Sequence, residues 1–283
     1  MGSRADLHTH STFSDGVLTP TELIELAYNH GVRVMSLSDH DTTQGLPEAF
    51  AAAARHPEFK LIPGIEMSTD IPGSEVHILG HFIDWKDEGF ERELVILRKS
   101  RLGRAHKMVE RLAELGKPVA WERVESFAGE GAVGRPHIAR ALVEASHVAT
   151  VSEAFDLYLS RTGPAYVERD RLTPIEVVEM LVSVEGLPTI AHPRDLDNLE
   201  ELLTKLKAAG LVGMEVYYQD YAPDVVERLR ALADKIGLIP LGGSDYHGFG
   251  SHNQREPGDI PLPDEPVERL LALARERGAL ERV

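Results

Sequence analysis

Seven short apolar segments alternate with helix-start signals along this chain, and that alternation limits its fold more than any other feature. The segments cover residues 5–8, 32–37, 59–66, 76–83, 187–191, 211–217 and 238–241. Thr19-Pro20-Thr21-Glu22 offers an N-cap, a proline at the first helical position and a glutamate at the capping-box position. That helix ends at His30-Gly31, where glycine accepts the left-handed cap. Thr173-Pro174-Ile175-Glu176 repeats the start signal, and a further helix over 223–236 stops at Gly237. Strands alternating with capped helices predict parallel βα units, and seven of them suit a closed (β/α) barrel of the α/β class.

The alternation breaks between about residues 89 and 171. Leu94, Leu97, Arg101, Ala105, Met108, Leu112 and Leu115 recur there at helical spacing, which predicts a helical insertion capping the barrel. The expected organisation is therefore barrel over 1–95, cap over 96–170 and barrel again over 171–283.

Polar residues gather where the predicted strands end. His8-Thr9-His10 closes the first strand, with Asp15 behind it, and Asp39-His40-Asp41 closes the second. Glu66 closes the third, His77 lies in the fourth and His192 follows the fifth. Asp245 and His247 follow the seventh. Residues i and i+2 of an extended chain share a face, so His-x-His chelates a cation from one strand. In a βα barrel the strand ends converge on one rim, and closure brings the last strand beside the first. Nine His, Asp and Glu side chains on one rim would be costly without a cation to bind them. They are too many for one ion, so two or three divalent metals are expected. Nitrogen and carboxylate donors without sulfur suit Mn²⁺, Fe²⁺ or Zn²⁺. His30, His56, His81, His106, His147 and His252 lack this context and read as surface or packing residues, His81 having the best claim among them because it shares the alternation of His77.

These motifs resemble the PHP family, named for its polymerase and histidinol phosphatase members. Asp6-Leu7-His8-Thr9-His10-Ser11, Ser14-Asp15-Gly16, Ser38-Asp39-His40-Asp41, Gly64-Ile65-Glu66, Ala191-His192-Pro193 and Gly243-Ser244-Asp245-Tyr246-His247 carry the likeness in family order over almost the whole chain. In the insertion it continues through Gly134-Arg135-Pro136-His137-Ile138-Ala139-Arg140 and Gly163-Pro164-Ala165-Tyr166-Val167. The resemblance implies a distorted (β/α)7 barrel with an inserted helical cap, and a trinuclear site. In it His8, His10, Glu66 and Asp245 hold one ion, Asp15, His40 and His247 a second, and Glu66 bridges to a third with His77 and His192.

The closer likeness is to members that are 3′,5′-nucleoside bisphosphate phosphatases and also trim RNA 5′ ends. It implies phosphate monoester hydrolysis, with the 3′-phosphate of a nucleoside bisphosphate as substrate and 5′-phosphorylated oligoribonucleotides as the nearest variant. Bound cations lower the pKa of water, so no Ser or Cys nucleophile is required. Arg135 is the first choice for a phosphate clamp, because a guanidinium binds phosphate bidentately and stays charged. His137 is placed to orient a phosphate or protonate the leaving group. Arg161 stands near Gly163, where some relatives carry a basic residue, and Arg194 follows Ala-His-Pro, where relatives often have glycine. Both are further candidates for phosphate contact. The alternatives are a histidinol-phosphate phosphatase and, from another class, a non-catalytic metal-stabilised nucleotide-binding or polymerase-associated module.

Charge points the same way. The chain carries a net −16, which argues against a duplex nucleic-acid binder working by phosphate neutralisation. Residues 98–171 nevertheless hold thirteen Lys/Arg against ten Asp/Glu. A locally basic cap over a cation-loaded rim suits a small anionic substrate. There are no cysteines, and neither a signal segment nor a membrane-length apolar run is seen, so a cytoplasmic location without membrane attachment is expected.

Overall fold

The strands and helices form close to where these signals fall. A computed structural model describes residues 3–71, 74–129, 131–168, 172–219, 221–248 and 255–282. Its strands are β1 (Ala5–Thr9), β2 (Val34–Leu37), β3 (Lys60–Ile71), β4 (Ser74–His81), β5 (Leu187–Ile190), β6 (Gly213–Tyr218) and β7 (Ile239–Gly243). The helices are α1 (Pro20–Asn29), α2 (Leu46–Ala53), α3 (Glu88–Glu114), α4 (Trp121–Ala128), α5 (Arg135–Glu144), α6 (Val151–Ala154), α7 (Pro174–Ser183), α8 (Leu199–Ala209), α9 (Pro223–Ile236) and α10 (Asp264–Glu276). Both predicted capping boxes are present: the Thr19 hydroxyl accepts from the Glu22 N–H and the Thr173 hydroxyl from the Glu176 N–H, each with the reciprocal carboxylate bond.

All seven strands form one sheet in sequence order, β1 to β7. The sheet bends into a nearly closed barrel. At the seam Asp245 N–H donates to the His8 carbonyl at 2.8 Å and His10 N–H to the Tyr246 carbonyl at 3.0 Å.

The expectation of parallel units throughout fails at β4, which is antiparallel to both β3 and β5. The reason is chain length. A parallel crossover needs about a dozen residues or more, and β4 starts at Ser74, directly after β3 has ended at Ile71. The chain can only fold back. As a result Glu66 lies inside β3 rather than at its end, and His77 reaches the same region from the reversed strand, opposite Ser68.

Helix α3 joins two cores. Phe90, Leu94 and Leu97 pack with Ile65, Ile78, Leu181 and Met214 of the barrel. Further along, Ala105, Met108 and Leu112 pack with Val124, Ile138, Leu142 and Leu159 of the cap helices. Leu115, predicted on the same stripe, is 43% exposed because α3 has ended. The predicted junction at 95/96 thus falls inside one continuous helix, and the junction at 170/171 lies outside the described residues. Among the described residues no helix is long and apolar enough to cross a membrane.

Candidate metal centre

Strand β1 presents His8 and His10 on one face, and both imidazoles point at the same two oxygens. His8 Nε2 lies 3.3 Å from Glu66 Oε2 and 3.2 Å from Asp245 Oδ1. For His10 Nε2 the corresponding distances are 3.2 and 3.0 Å. A second group joins His10, Asp15, His40 and His247. Here His247 Nε2 stands 3.1 Å from Asp15 Oδ1 and His40 Nε2 3.6 Å from Asp15 Oδ2. A third centres on Glu66, with His40 Nδ1 3.0 Å from Oε2, His77 Nδ1 2.8 Å from Oε1 and His192 Nε2 3.3 Å from Oε1. Glu66 therefore turns one oxygen to each side of the cluster. All nine residues singled out in the sequence meet at this one rim.

Whether these residues suit metal ions is tested by what their atoms lack. His8 Nε2, His10 Nε2, Asp15 Oδ1, His40 Nδ1 and Glu66 Oε2 are buried and form no hydrogen bond. Five such atoms facing one another would cost several kcal/mol, roughly 1–3 each, if nothing bound them. Nitrogen and carboxylate donors converging in this way fit divalent cations. Burial alone would raise the carboxyl pKa of Glu66, but the imidazoles of His40, His8 and His77 hold it well below the usual range. At Asp245 burial is likewise outweighed, by His8, His247 and His10. The surrounding imidazoles favour the ionised carboxylates, as a bound cation would.

A supporting layer orients the donors. Glu215, at the centre of β6, accepts from His8 Nδ1 at 3.1 Å through Oε1 and from the His192 N–H at 2.8 Å through Oε2. The first contact puts the proton of His8 on Nδ1 and turns the lone pair of Nε2 toward the cluster. Tyr218 donates to Asp245 Oδ2 at 2.7 Å, leaving Oδ1 for His8 and His10. Asp39 organises the loop that carries His10 and Asp15, accepting from Ser14 Oγ at 2.6 Å and Ser11 Oγ at 2.7 Å. Arg101 of α3 donates to Asp41 Oδ2 at 2.6 Å and to Ser68 Oγ at 2.9 Å. Asp41, His192 and Asp245 all have positive φ, at 53°, 31° and 50°. Such backbone costs about 1–3 kcal/mol per residue and collects at functional sites.

The sequence motifs do not mark Glu215 or Tyr218, give Arg101 only a place on the α3 stripe, and give Asp41 no role beyond its place in Asp39-His40-Asp41. A signal existed for two of them: Glu215 is a lone acid inside an apolar strand, and Arg101 occupies a position of the apolar stripe on α3.

The candidates for phosphate contact are more dispersed. Arg135 Nη2 rests 2.5 Å from Glu75 Oε2, and Arg161 Nη1 2.5 Å from Asp70 Oδ1. Asp70 and Glu75 face each other across the β3–β4 pair. Arg194 pairs at the surface with its neighbour Asp195 at 2.8 Å. His137 is buried, which pushes its pKa down to about 4, and its Nδ1 accepts the Gly134 N–H at 3.0 Å.

Of the remaining histidines, His56 stacks on Tyr28, His106 stacks on Trp121 and His147 meets the Pro118 carbonyl. His81 is buried beneath the rim against Ser36. His252 lies outside the described residues.

Comparisons with known proteins agree with this geometry. The PHP domain model matches residues 6–158. A Chromobacterium violaceum protein named 3′,5′-nucleoside bisphosphate phosphatase is 34% identical over 94% of this chain and 95% of its own length. A Haemophilus influenzae 5′-3′ exoribonuclease is 35% identical over 87% of this chain and 91% of its own. A solved Bifidobacterium adolescentis structure, assigned as a metal-dependent phosphoesterase, superposes with a TM-score of 0.86 at 33% identity, covering 95% of both chains.

Proposed function

The chain belongs to the PHP domain family, and on that premise we propose that this metal-dependent phosphoesterase removes the 3′-phosphate of nucleoside 3′,5′-bisphosphates, with 5′-phosphorylated oligoribonucleotides as its nearest further substrate. The observation that carries the reading is the convergence of five buried, unbonded donor atoms around Glu66 and Asp15, beneath a cap rich in arginine.

Three ions would fit the donor groups. His8, His10, Glu66 and Asp245 would hold the first, and Asp15, His40 and His247 the second, with His10 in reach of both. Glu66, His77 and His192 would hold the third. Mn²⁺, Fe²⁺ and Zn²⁺ all accept this donor set. When bound, such ions supply Lewis acidity toward a phosphoryl group and make a nucleophile available at neutral pH.

The chain's own side chains do the rest. Glu215 and Tyr218 keep the donor atoms of His8 and Asp245 turned inward. His137 is neutral at pH 7, since burial holds its pKa at about 4. With Nδ1 engaged by Gly134, it offers one N–H, at Nε2, to a phosphate oxygen. It therefore suits orienting a phosphate better than protonating a leaving group. Arg135 and Arg161 reach a phosphate by exchanging Glu75 and Asp70 for it, and dianionic phosphate competes well with a carboxylate for a guanidinium. Arg194 stands at the rim beside His192.

The test is phosphate release with added Mn²⁺ from adenosine 3′,5′-bisphosphate, AMP, histidinol phosphate and a short 5′-phosphorylated RNA. The bisphosphate is expected to be preferred, and His40→Ala to abolish release. A preference for histidinol phosphate would replace the substrate, and metal binding without release from any of the four would end the reading.

A further inference from the structure

Most cap arginines are paired, and Arg140 is set differently. Arg98, Arg101, Arg123, Arg135 and Arg161 each contact a carboxylate, on Glu91, Asp41, Glu144, Glu75 and Asp70. Arg140 is half-buried on α5 and meets no carboxylate among the described residues. Its guanidinium lies over the ring of Phe127, 4.4 Å from the centroid. A cation held partly out of water without a counter-charge is costly, and an anionic ligand removes that cost.

The surroundings indicate which ligand. Phe127 forms one wall of a cavity of about 300 Å³. The opposite wall is Thr12 and Phe13, in the loop that carries His10 at one end and Asp15 at the other. Phe13 and Phe127 provide aromatic surface, and Thr12 and Ser126 bring hydroxyl groups. Arg140 follows His137 by one helical turn, and His137 lies within electrostatic reach of Asp15 and His247. The cavity thus borders the loop between His10 and Asp15, and the guanidinium of Arg140 lies over one of its rings. Arg135, by contrast, must give up Glu75 before it can meet a phosphate.

We propose that this cavity is the subsite for the nucleoside of the substrate, its base against Phe13 and Phe127, and that Arg140 binds the phosphate that is not cleaved. Base stacking on aromatic rings contributes about 1–3 kcal/mol per base without selecting a sequence. A guanidinium adds selection for a second phosphate. The inference rests on the nucleotide reading above and sharpens it: the second phosphate is what the subsite measures.

The experiment compares wild type with Arg140→Gln and Arg140→Lys. AMP binding is followed by titration calorimetry in Mn²⁺ and again in EDTA, and phosphate release is followed from adenosine 3′,5′-bisphosphate and 3′-AMP. Melting curves confirm that each variant is folded, and Arg140→Lys, which keeps the charge, replaces Arg140→Gln should that variant unfold. The expected result is at least a tenfold weaker AMP affinity in Arg140→Gln under both conditions, with Arg140→Lys in between. The preference of kcat/KM for the bisphosphate over 3′-AMP should fall by a similar factor. Unchanged AMP affinity in folded Arg140→Gln overturns the subsite and leaves the phosphoesterase reading standing. Arg140-dependent AMP binding by a protein that releases phosphate from neither nucleotide keeps the subsite and removes the proposed activity.

Discussion

Glu215 serves two strands with one carboxylate, fixing the ring of His8 through Oε1 and the backbone at His192 through Oε2. Partners of this kind typically contribute 10–100-fold to metal affinity, since they set the tautomer and aim of the donor. Glu215→Gln should therefore weaken Mn²⁺ binding by about 10–100-fold, read by calorimetry on the metal-free protein, with far-UV circular dichroism unchanged. Equal affinity in the variant would show that His8 is held by packing alone. The nine candidate ligands could be read from the sequence because they come in spaced clusters such as His8-Thr9-His10 and Asp245-Tyr246-His247, where accident becomes a poor explanation. Glu215, Arg101 and Arg140 could not. A single charge in an apolar pattern looks the same whether it faces solvent, a buried partner or a ligand. Only the fold decides among these.

Strands and helices were legible for a similar reason: apolar runs, proline-led capping boxes and glycine stops are local. Strand direction is not, and β4 shows the gap. Its residues read equally well either way, and the reversal follows only from the short link to β3, where Pro72-Gly73 was the available sign. The reversed strand puts His81 inside the barrel, fully buried, with Nδ1 3.2 Å from Ser36 Oγ. Burial pushes its pKa down to about 3, with the charge of His8 adding to the effect. Below pH 6.5 the unfolded chain takes up a proton at this position that the folded chain refuses until about pH 3. The contribution of His81 to stability is therefore present above pH 6.5 and falls as pH drops through that window. His81→Gln removes the titration, so its stability relative to wild type should improve by about 1.4 kcal/mol per pH unit between pH 6 and 4. Urea unfolding at several pH values measures this, and a constant difference would mean that His81 is already protonated when folded. Helix α3 makes its own demand on the same rim. Arg101→Met takes the guanidinium from buried Asp41, next to His40, and should cost about 3–5 kcal/mol of stability in the same unfolding assay. A loss under 1 kcal/mol would show that water reaches Asp41.

At the scale of the whole molecule, the candidate metal ligands lie across the seam where the last strand meets the first. Neighbouring strands elsewhere share ladders, as β3 and β4 do over eight residue pairs. Among the described residues, β7 and β1 are joined by one isolated bridge, Thr9 with Tyr246, by the backbone bonds of Asp245 and His10, and by the Ser244 N–H donating to Asp6. His8 and His10 come from one side of this seam, Asp245 and His247 from the other, and more than 200 residues separate them in sequence. Ions held by both sides would act as staples on the seam. At metal concentrations 100 times Kd, each site adds about 2.7 kcal/mol to the folded state. That energy should be spent unevenly, because only the seam depends on ligands from both chain ends. Removing metal with EDTA should speed hydrogen exchange at the amides of His10 and Asp245 by tenfold or more, while amides in the β3–β4 ladder, such as Met67, change far less. Glu66→Ala should reproduce part of the pattern without a chelator, because it removes the carboxylate shared by two of the three donor groups. If exchange rises by the same factor everywhere, the ions stabilise the fold only globally. If it does not rise at all, the backbone bonds at Asp245 and His10 close the barrel without them.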